Sequence, residues 1–562
     1  ILMTFKSNEN PMFRSKFSED IFRQKYAHEG CQTWADLAKT LVHDVCSDLL
    51  TKDEVEELIE MITDLKFIPG GRYLYYAGRP NKFFNNCYLL KAEEDSREDW
   101  ADVSWKSESC LMTGGGIGVD YSVYRPEGSG LAGTGGTSSG PIPKIQMINE
   151  IGRRVMQGGS RRSAIYASLN WKHRDVEKFL TSKNWYDMPI GSTGFSIGQV
   201  KEQDFNFNAP MDMTNISVNY DTEWLLNYWK TGDVGDVFRT NIQQALKTAE
   251  PGFSFNFFDK ENETLRNACT EVTSADDSDV CNLGSVNMGR INDIAEFADV
   301  VSLATKFLIC GTKKAKLPYA KIYQVRDKNR RLGLGLMGMH EWLVKKGSRY
   351  EVTNELHKWL SVYKGYSDSV SLSCADSFSV SRPVANRAIA PTGSIGILAG
   401  TSTGIEPIFA VAYKRRYLKN GDKWHYQYVI DSAAQEIIDL YGVQPDKIES
   451  ALNLASDYKR RIKFQADVQD YVDMSISSTI NLPAWGTELN NEDTVNKFAS
   501  TLAYYAHRLR GFTVYPDGCR GGQPLSAVPY NEAVNKLGEV FEESVETHDI
   551  CDITGHGGSC GV

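Results

Sequence analysis

The stretch Asn267-Ala268-Cys269-Thr270-Glu271 sets a thiol two positions from both a side-chain amide and a carboxylate. If this backbone is extended, alternate side chains point the same way, so Asn267, Cys269 and Glu271 share one side. Such a group offers a thiol, a hydrogen-bond donor and a general base to one ligand. The pattern predicts a reactive cysteine at position 269, although one segment of this kind is a weak signal on its own.

Cysteine is the residue type to follow outward from this segment. The chain of 562 residues holds 11 cysteines, and an odd number argues against a secreted disulfide framework. Cysteines are commonly buried as small apolar side chains, which is the ordinary interpretation of any one of them. The nearest two, Cys551 and Cys560, are nine positions apart, whereas a zinc site needs closely spaced pairs. No metal ligands are therefore expected, and redox chemistry or burial remains.

The composition is typical of a large folded globular protein. Hydrophobic residues make up 41% of the chain, enough for a large core. The 62 basic and 72 acidic residues give a net charge of -10, which disfavours a broad surface for nucleic acid. No apolar run reaches the roughly 18 to 20 residues that span a bilayer, and the N-terminus lacks a signal-peptide pattern. We expect a cytoplasmic protein that binds small nucleotides, and neither nucleic acid nor membrane.

Three regions follow one another along the chain. Residues 1–70 are predicted to be helical, with Thr51 and Glu54 in a capping-box pattern before apolar residues at helical spacing. From 71 to 530, β-branched or aromatic runs alternate with helical patterns without a long linker, which predicts one large α/β body. Residues 531–562 are acidic, then glycine-rich, and are expected to form a mobile tail that buries little apolar surface.

The segment Gly333-Leu334-Gly335-Leu336-Met337-Gly338 fits the letters G-x-G-x-x-G of dinucleotide-binding folds. That fingerprint needs an apolar strand just before it, whereas residues 327–331 are mostly charged. We therefore favour a helix turn with small residues here. A nicotinamide-dependent oxidoreductase stays as a weak alternative function.

Two further cysteine segments complete a recognisable order. Cys87 lies in Phe84-Asn85-Asn86-Cys87-Tyr88, and Cys281 follows Cys269 by twelve residues in Val280-Cys281-Asn282-Leu283-Gly284. These segments, in this order, resemble the catalytic subunit of ribonucleotide reductases. The resemblance spans roughly residues 65–525 and includes the blocks Thr113 to Ser122, Gln157 to Arg162, Asn329 to Gly338, Ala390 to Ile395 and Gly404 to Pro407.

The resemblance implies a ten-stranded α/β barrel whose central finger loop presents a cysteine inside. On this basis Cys269 carries a thiyl radical that removes the 3′ hydrogen of the ribose, Glu271 is the base for the 3′ hydroxyl, and Asn267 binds the substrate. Cys87 and Cys281 match the pair that supplies two electrons as the 2′ hydroxyl leaves as water. The implied function is reduction of ribonucleoside di- or triphosphates for DNA synthesis. A non-catalytic nucleotide-binding regulatory protein on the same fold is the alternative.

The tail cysteines resemble the family's external redox pair. Cys551 and Cys560 match the pair that exchanges thiols with the internal disulfide and then meets thioredoxin or glutaredoxin. The eight residues between them make a wider loop than is usual in the family. Cys560 is thus the better supported of the two, and Cys519 is another candidate for its partner.

Nucleotide sites are implied at several turns. The substrate phosphates are expected at Pro391-Thr392-Gly393-Ser394-Ile395, where backbone N–H groups and hydroxyls at a helix start suit an anion. The loops 128–140 and 157–163 resemble those that bind a dNTP or ATP effector and select the substrate. The implied effector contacts are Glu94, Asp95, Arg125, Gln157, Gly158, Gly159, Arg161 and Arg162.

The N-terminal length and the residues around Tyr515 bear on regulation and on the radical source. Only 86 residues precede Cys87, so an N-terminal ATP-cone domain and switching of activity by dATP are not expected. Val514 replaces one of two adjacent tyrosines that relay a radical from a metal-containing ferritin-like partner, and Tyr515 remains. This context resembles the adenosylcobalamin-dependent class, whereas compact viral-type members, which act in the host cytoplasm, use a ferritin-like subunit. The sequence leaves both radical sources as alternatives, and a homodimer is one possible assembly.

Overall fold

The computed structural model describes residues 13–155, 163–204, 207–419, 423–519 and 525–543. Its strands, numbered in chain order, are β1 Phe67–Pro69, β2 Cys87–Lys91, β3 Gly116–Asp120, β4 Ile165–Asn170, β5 Thr214–Tyr220, β6 Gly252–Phe255, β7 Leu265–Arg266, β8 Thr273–Ser274, β9 Asp279–Asn287, β10 Leu332–Met337, β11 Ala412–Lys419, β12 Lys423–Ile430, β13 Thr479–Leu482, β14 Gly511–Pro516, β15 Leu525–Ala527 and β16 Val540–Glu543.

The α-helices of the same ranges surround most of these strands. They are α1 Lys16–Lys25, α2 Trp34–Cys46, α3 Lys52–Thr63, α4 Gly71–Tyr76, α5 Arg97–Leu111, α6 Pro141–Arg154, α7 Val176–Leu180, α8 Ile197–Gln203, α9 Thr222–Thr231, α10 Asp236–Thr248, α11 Ile294–Lys314, α12 Ala320–Asn329, α13 Met339–Lys345, α14 Asn354–Ser377, α15 Gly393–Ala399, α16 Ser432–Tyr441, α17 Ala451–Leu454, α18 Tyr458–Gln469, α19 Val495–Tyr505 and α20 Tyr530–Asn535. Short 3₁₀ turns lie at Trp185–Asp187, Phe258–Lys260, Met288–Arg290, Pro445–Lys447, Glu492–Thr494 and Ala506–Arg508. Within the described ranges, no helix is long and apolar enough to cross a bilayer.

The centre of the fold is a closed ring of ten β segments built from two parallel halves. In one half β2, β3, β4, β5 and β6 pair in parallel in that order. In the other half β9 pairs in parallel with β10, and β13 with β14. The segment 385–390 joins these two pairs through the parallel bridges Leu334–Arg387 and Ile389–Ile476. The antiparallel pairings β2–β9 and β6–β14 close the ring, which confirms the predicted ten-stranded α/β barrel.

The ring strands are buried along most of their length because helices cover the outside and other segments fill the inside. All nine residues of β9 and all six of β10 are buried. On the outside, α11 packs against α14, α2 and α3 in the largest apolar cluster. The predicted N-terminal helix is confirmed as α3, with both hydrogen bonds of the Thr51–Glu54 capping box present.

The G-x-G-x-x-G segment is a barrel strand, and the expected helix turn is wrong. A Cβ on Gly333 would lie 2.9 Å from the Cys281 Sγ, and one on Gly335 would lie 2.7 Å from the Ala388 carbonyl oxygen. The glycines thus let β10 lie close between β9 and the segment 385–390. The same pattern that suggests a nucleotide loop in sequence serves strand packing here.

A second, four-stranded sheet follows the order β15-β11-β12-β16. The helix α20 and the strand β16 belong to the segment expected to be a mobile tail. However, β16 pairs with β12, and the Phe541 ring stacks on Tyr426 with centroids 5.2 Å apart. Residues 530–543 therefore belong to the folded body, contrary to the expected boundary at 530.

A short hairpin enters the barrel as the predicted finger loop. Its strands β7 and β8 pair antiparallel and carry the turn 267–270 between them. The hairpin passes β3 so closely that a Cβ on Gly118 would lie 1.7 Å from the Arg266 carbonyl oxygen. Arg266 is buried and donates to the carbonyl oxygen of Arg510 at 3.1 Å and to Asn256 Oδ1 at 2.8 Å. The hairpin is thus fixed by close backbone contact on one side and by a buried guanidinium on the other.

We expect Gly118→Ala to displace the finger and destabilise the fold by about 1 to 3 kcal/mol, the usual range for overpacking a core. Thermal unfolding followed by circular dichroism measures the change. Gly365→Ala in α14 is the matched control, because a Cβ there meets nothing within 4 Å and alanine favours helices. Equal melting temperatures for Gly118→Ala and the parent would contradict the close approach.

Candidate active site

The tip of the finger is a tight turn, so residues 267–271 do not have the extended backbone on which a shared side for Asn267, Cys269 and Glu271 depends. The Thr270 N–H donates to the Asn267 carbonyl oxygen over 3.0 Å, because the chain must reverse between β7 and β8. Thr270 has φ of +70°, a left-handed conformation that β-branched residues rarely adopt. The turn, rather than strand alternation, sets the positions of the thiol and the carboxylate.

Cys87 and Cys281 lie directly opposite each other on the antiparallel strands β2 and β9. Residues opposed in this way point to the same side, with Cβ atoms roughly 4.5–5.5 Å apart. A disulfide needs a Cβ separation of about 3.5–4.5 Å, so a small adjustment of the two strands suffices to form one. The two side chains are buried, and neither is in a disulfide in this structure. The barrel therefore brings together the two cysteines that the family resemblance predicts to be a pair.

Cys269 lies in the same buried cluster as Cys87, together with Tyr166, Ala268 and Ala390. Asn267 connects the finger to this pair, since its Nδ2 donates to the Cys87 Sγ over 3.2 Å. The Asn267 Oδ1 accepts from the Val272 N–H at 3.0 Å, which fixes the amide across the turn. Three of the predicted catalytic residues thus meet at one point inside the barrel.

Glu271 is fully buried, and burial raises its pKa to about 7, with the nearby Asn267 amide opposing the shift. Neither carboxylate oxygen accepts a hydrogen bond from the described residues. Its backbone is held in place, because the Ser475 N–H donates to the Glu271 carbonyl oxygen at 2.8 Å. A carboxyl group with a pKa near neutrality can take up or release a proton at physiological pH.

The thiol of Cys281 is held in its neutral form. Burial, followed by the nearby Asp279 carboxylate, raises the pKa of Cys281 well above the usual range. Nucleophilic cysteines need the thiolate and hence a lowered pKa. The environment of Cys281 therefore suits transfer of hydrogen from a neutral thiol rather than nucleophilic attack.

The expected phosphate turn adjoins this cluster. Ala390, which contacts the Cys269 cluster, immediately precedes Pro391, and α15 begins at Gly393. The Gly404 N–H donates to Thr392 Oγ1 at 2.8 Å, and the Lys25 Nζ donates to Ser394 Oγ at 2.7 Å. The turn from Pro391 to Ile395 is thus held by two distant parts of the chain, one of them the N-terminal helix α1.

Two of the predicted effector contacts, Asp95 and Arg125, form an ion pair. Arg125 Nε donates to Asp95 Oδ2 at 2.6 Å, and Arg125 Nη1 donates to the Gly130 carbonyl oxygen in the loop 128–140 at 3.2 Å. The Glu94 N–H donates to Asp99 at 2.8 Å, so Glu94 lies at the start of the same region. The other predicted contacts, Gln157, Gly158, Gly159, Arg161 and Arg162, lie outside the described residues.

Tyr515 lies on β14 opposite Asn481 and lines a pocket of about 260 Å³. Val514 packs into the outer apolar cluster, as strand alternation requires. Cys519 follows on the same segment and is half-buried. Cys551 and Cys560 lie outside the described residues.

Sequence reasoning missed several residues that build this site. Asn85 Nδ2 donates to the Cys281 carbonyl oxygen at 2.9 Å and to Asn282 Oδ1 at 3.0 Å, which ties the two cysteine segments together. The asparagines close to the two cysteines, Asn85 and Asn282, were the available signal for this contact. Tyr166 and Ser475 carry no local pattern, because they reach the finger only through the tertiary fold.

The family model described as "Ribonucleotide reductase, barrel domain" matches residues 85–190, 211–360 and 384–515. The chain belongs to the ribonucleotide reductase family. By family and fold it is a catalytic subunit, and neither a regulatory protein nor a nicotinamide-dependent enzyme is favoured.

Similar proteins agree with this assignment. A "Vitamin B12-dependent ribonucleoside-diphosphate reductase" of Mycobacterium tuberculosis is 27% identical over 533 residues, which cover 84% of this chain and 73% of that protein. A protein of Mycobacterium phage D29 with "adenosylcobalamin-dependent ribonucleoside-triphosphate reductase" in its name is 27% identical and covers 64% of this chain and 57% of its own. The class Id ribonucleotide reductase alpha subunit of Actinobacillus ureae has the same fold, with a TM-score of 0.69 at 16% identity, over 91% of this chain and 98% of that one.

Replacing Glu271 in this reductase should change stability in a pH-dependent way. Between its ordinary pKa of 4.5 and about 7, Glu271 ionises in the unfolded chain only, so the folded state loses stability as pH rises. Above pH 7 the full penalty, about 3 kcal/mol, is present. We expect Glu271→Gln to be more stable than the parent by about 1 to 3 kcal/mol at pH 8.5 and nearly equal at pH 5. Urea unfolding at both pH values measures this, and an equal difference at both would contradict the raised pKa.

Proposed function

We propose that the chain reduces ribonucleotides through a thiyl radical on Cys269, with Cys87 and Cys281 as the source of two electrons. The observation that carries this proposal is the cross-strand pairing of Cys87 with Cys281 beside the turn that holds Cys269. A lone reactive cysteine would need no such pair. Two thiols that can form a disulfide, next to a third, suit a reaction that consumes two electrons and also needs one unpaired sulfur.

The proposed step balances in atoms and electrons. The Cys269 sulfur takes the 3′ hydrogen of the ribose, while Glu271 accepts the proton of the 3′ hydroxyl. The 2′ hydroxyl leaves as water with the proton of one thiol of the pair, the hydrogen of the other thiol goes to the 2′ carbon, and the pair becomes a disulfide as it gives two electrons to the sugar. Cys269 then returns a hydrogen to the 3′ carbon and is a thiyl radical again, while Glu271 returns its proton to the 3′ oxygen. The net change is ribonucleotide plus two thiols to deoxyribonucleotide, water and a disulfide.

We further propose nucleoside diphosphates as substrates, with their phosphates at the turn from Pro391 to Ile395. The contact between Ala390 and the Cys269 cluster supports this placement, since a ribose at Cys269 leaves its phosphates near that turn. The Mycobacterium tuberculosis relative, which matches more of the chain than the phage protein does, has diphosphate in its name. Triphosphates are the second candidate.

The proposed regulation and regeneration use the outer parts of the molecule. A dNTP or ATP effector would lie near Asp95 and Arg125, and Cys551 and Cys560 would carry electrons from thioredoxin or glutaredoxin in the cytoplasm. Exposed apolar side chains support a homodimer through the helix pair α5 and α6, beside the loop 128–140. They are Trp105 on α5 at 54% exposure, Met112 directly after α5 at 62% and Met147 on α6 at 51%.

Adenosylcobalamin is the radical source that the names of the relatives support. Such a cofactor supplies an organic radical by homolysis of its cobalt–carbon bond. A metal-containing ferritin-like partner that delivers the radical through Tyr515, which lies on β14, is the second candidate.

An activity assay separates the two sources. Purified chain is incubated with a ribonucleoside di- or triphosphate, a dNTP effector and dithiothreitol, with either adenosylcobalamin or a ferritin-like subunit. Deoxynucleotide in the cobalamin arm alone supports the cofactor, whereas product only with the added subunit supports the partner. No product in any arm would contradict the proposed function.

We expect Cys269→Ala to lower turnover by more than 1,000-fold, since removal of a covalently acting residue typically has effects of that order. Nucleotide affinity, measured by equilibrium dialysis, should stay within about twofold, because the turn backbone is unchanged. The matched control is Cys110→Ala, which removes an equally buried thiol from α5, away from the barrel interior. Loss of activity in the control, or turnover by Cys269→Ala, would refute the assignment.

A further inference from the structure

At the end of the β2–β9 ladder, a side-chain carboxylate takes the place of the backbone carbonyl as hydrogen-bond acceptor. The ladder runs from Cys87–Cys281 to Leu89–Asp279, and the Ser278 N–H still donates to the Leu89 carbonyl oxygen at 2.8 Å. Ser278 then turns the chain away with φ of +66°. The last amide of β2, that of Lys91, donates instead to the Asp277 Oδ1 at 2.8 Å.

Asp277 is itself held from several sides. Its Oδ2 accepts from Lys106 Nζ on α5 at 2.9 Å, from Lys321 Nζ on α12 at 2.8 Å and from Ser278 Oγ at 3.0 Å. Its side chain is fully buried, and burial and the two ammonium groups act in opposite directions on its pKa, with the net result that the pKa is lowered. A single carboxylate therefore joins one end of β2 to the start of β9 and to two helices outside the barrel.

We propose that Asp277 is a positioning residue that fixes the register of β2 against β9 and so holds Cys87 opposite Cys281. The inference rests on the proposed function, in which these two thiols form the internal disulfide. Along the ladder Cys87 lies opposite Cys281 and Leu89 opposite Asp279, so the next pair in the same register is Lys91 with Asp277. At this pair the Asp277 carboxylate, rather than a backbone carbonyl, accepts the Lys91 N–H.

Register matters here because disulfide geometry is narrow. A slip of one residue moves a side chain about 3.3 Å along the strand and turns it to the other face. Either change takes the sulfurs outside the separation at which a disulfide forms. Asn85 joins the two segments at the other end of the ladder, through the Cys281 carbonyl oxygen and Asn282. Asp279 is tied elsewhere, since it accepts from Arg331 Nε at 2.7 Å and from Asn329 at 2.9 Å, beside β10.

The test measures the stability of the Cys87–Cys281 disulfide in the full chain. Chains are equilibrated with mixtures of reduced and oxidised dithiothreitol, which exchanges two electrons and two protons with the thiol pair, then quenched, alkylated and analysed by peptide mass spectrometry. In Asp277→Asn the two lysines lose their charged partner, although Lys106 keeps Asp102 at 2.6 Å and Lys321 keeps Glu93 at 3.3 Å. We expect the equilibrium constant for disulfide formation to fall about tenfold, or about 30 mV.

Glu250→Gln is the matched control. Glu250 is also a buried carboxylate that accepts from a barrel-strand amide, Ile216 N at 2.9 Å, and pairs with Lys183 at 2.6 Å, but it lies at β5 rather than at β2 or β9. In Glu250→Gln the equilibrium constant for forming the Cys87–Cys281 disulfide should stay within about twofold of the parent's value. An equal constant for Asp277→Asn and the parent, or an equal shift in both variants, would overturn the inference.

Two further outcomes are decisive. If Asp277→Asn does not fold by circular dichroism, Lys106→Gln carries the test, with an expected decrease of about threefold and no change as the contradicting result. If the parent forms no Cys87–Cys281 disulfide at any dithiothreitol ratio, the proposed reductant pair itself fails. A disulfide that forms in the parent and is unaffected in the variants instead refutes only the role of Asp277.

Discussion

The site depends on the antiparallel seam between β2 and β9. The two halves of the barrel are each parallel, and the direction of the strands reverses only where the halves meet. Residues on an antiparallel seam lie directly opposite one another, which is the arrangement that a cross-strand disulfide requires. Cys87 begins β2 and Cys281 lies near the start of β9, so both thiols are at this seam. The same seam receives Asn267 from the finger, through the contact of its amide with the Cys87 sulfur.

The finger places a third sulfur and a carboxyl group at this seam, both buried from solvent. Gly118 allows the hairpin to pass β3 at backbone distance, and the turn at Thr270 keeps a conformation that the surrounding barrel must enforce. Glu271 is consequently desolvated, which brings its pKa to the range of a proton carrier at neutral pH. The contacts that bury the hairpin therefore also raise the pKa of its carboxyl group.

The parts that the sequence predicted best are those with local or motif-level signals. The capping box of Thr51 and Glu54 depends on four consecutive residues, and the cysteine segments resemble a family whose barrel the fold confirms. The errors arose where long-range packing decides. The segment 267–271 reverses because β7 pairs with β8, and the glycines of β10 serve strand packing against β9. Residues 530–543 join a sheet in which β16 pairs with β12, about a hundred residues earlier in the chain. Asp277 has no motif, since its role exists only once β2 and β9 are paired.

The most direct test of the account is the product formed in one turnover without external reductant. The chain is first reduced and freed of dithiothreitol, and its tail cysteines Cys551 and Cys560 are replaced by serine so that they cannot exchange. With substrate, effector and the effective radical source, the account predicts about one deoxynucleotide per chain and a disulfide between the peptides of Cys87 and Cys281. Product formed while both of these cysteines remain alkylatable thiols, or a disulfide between any other pair, would contradict it.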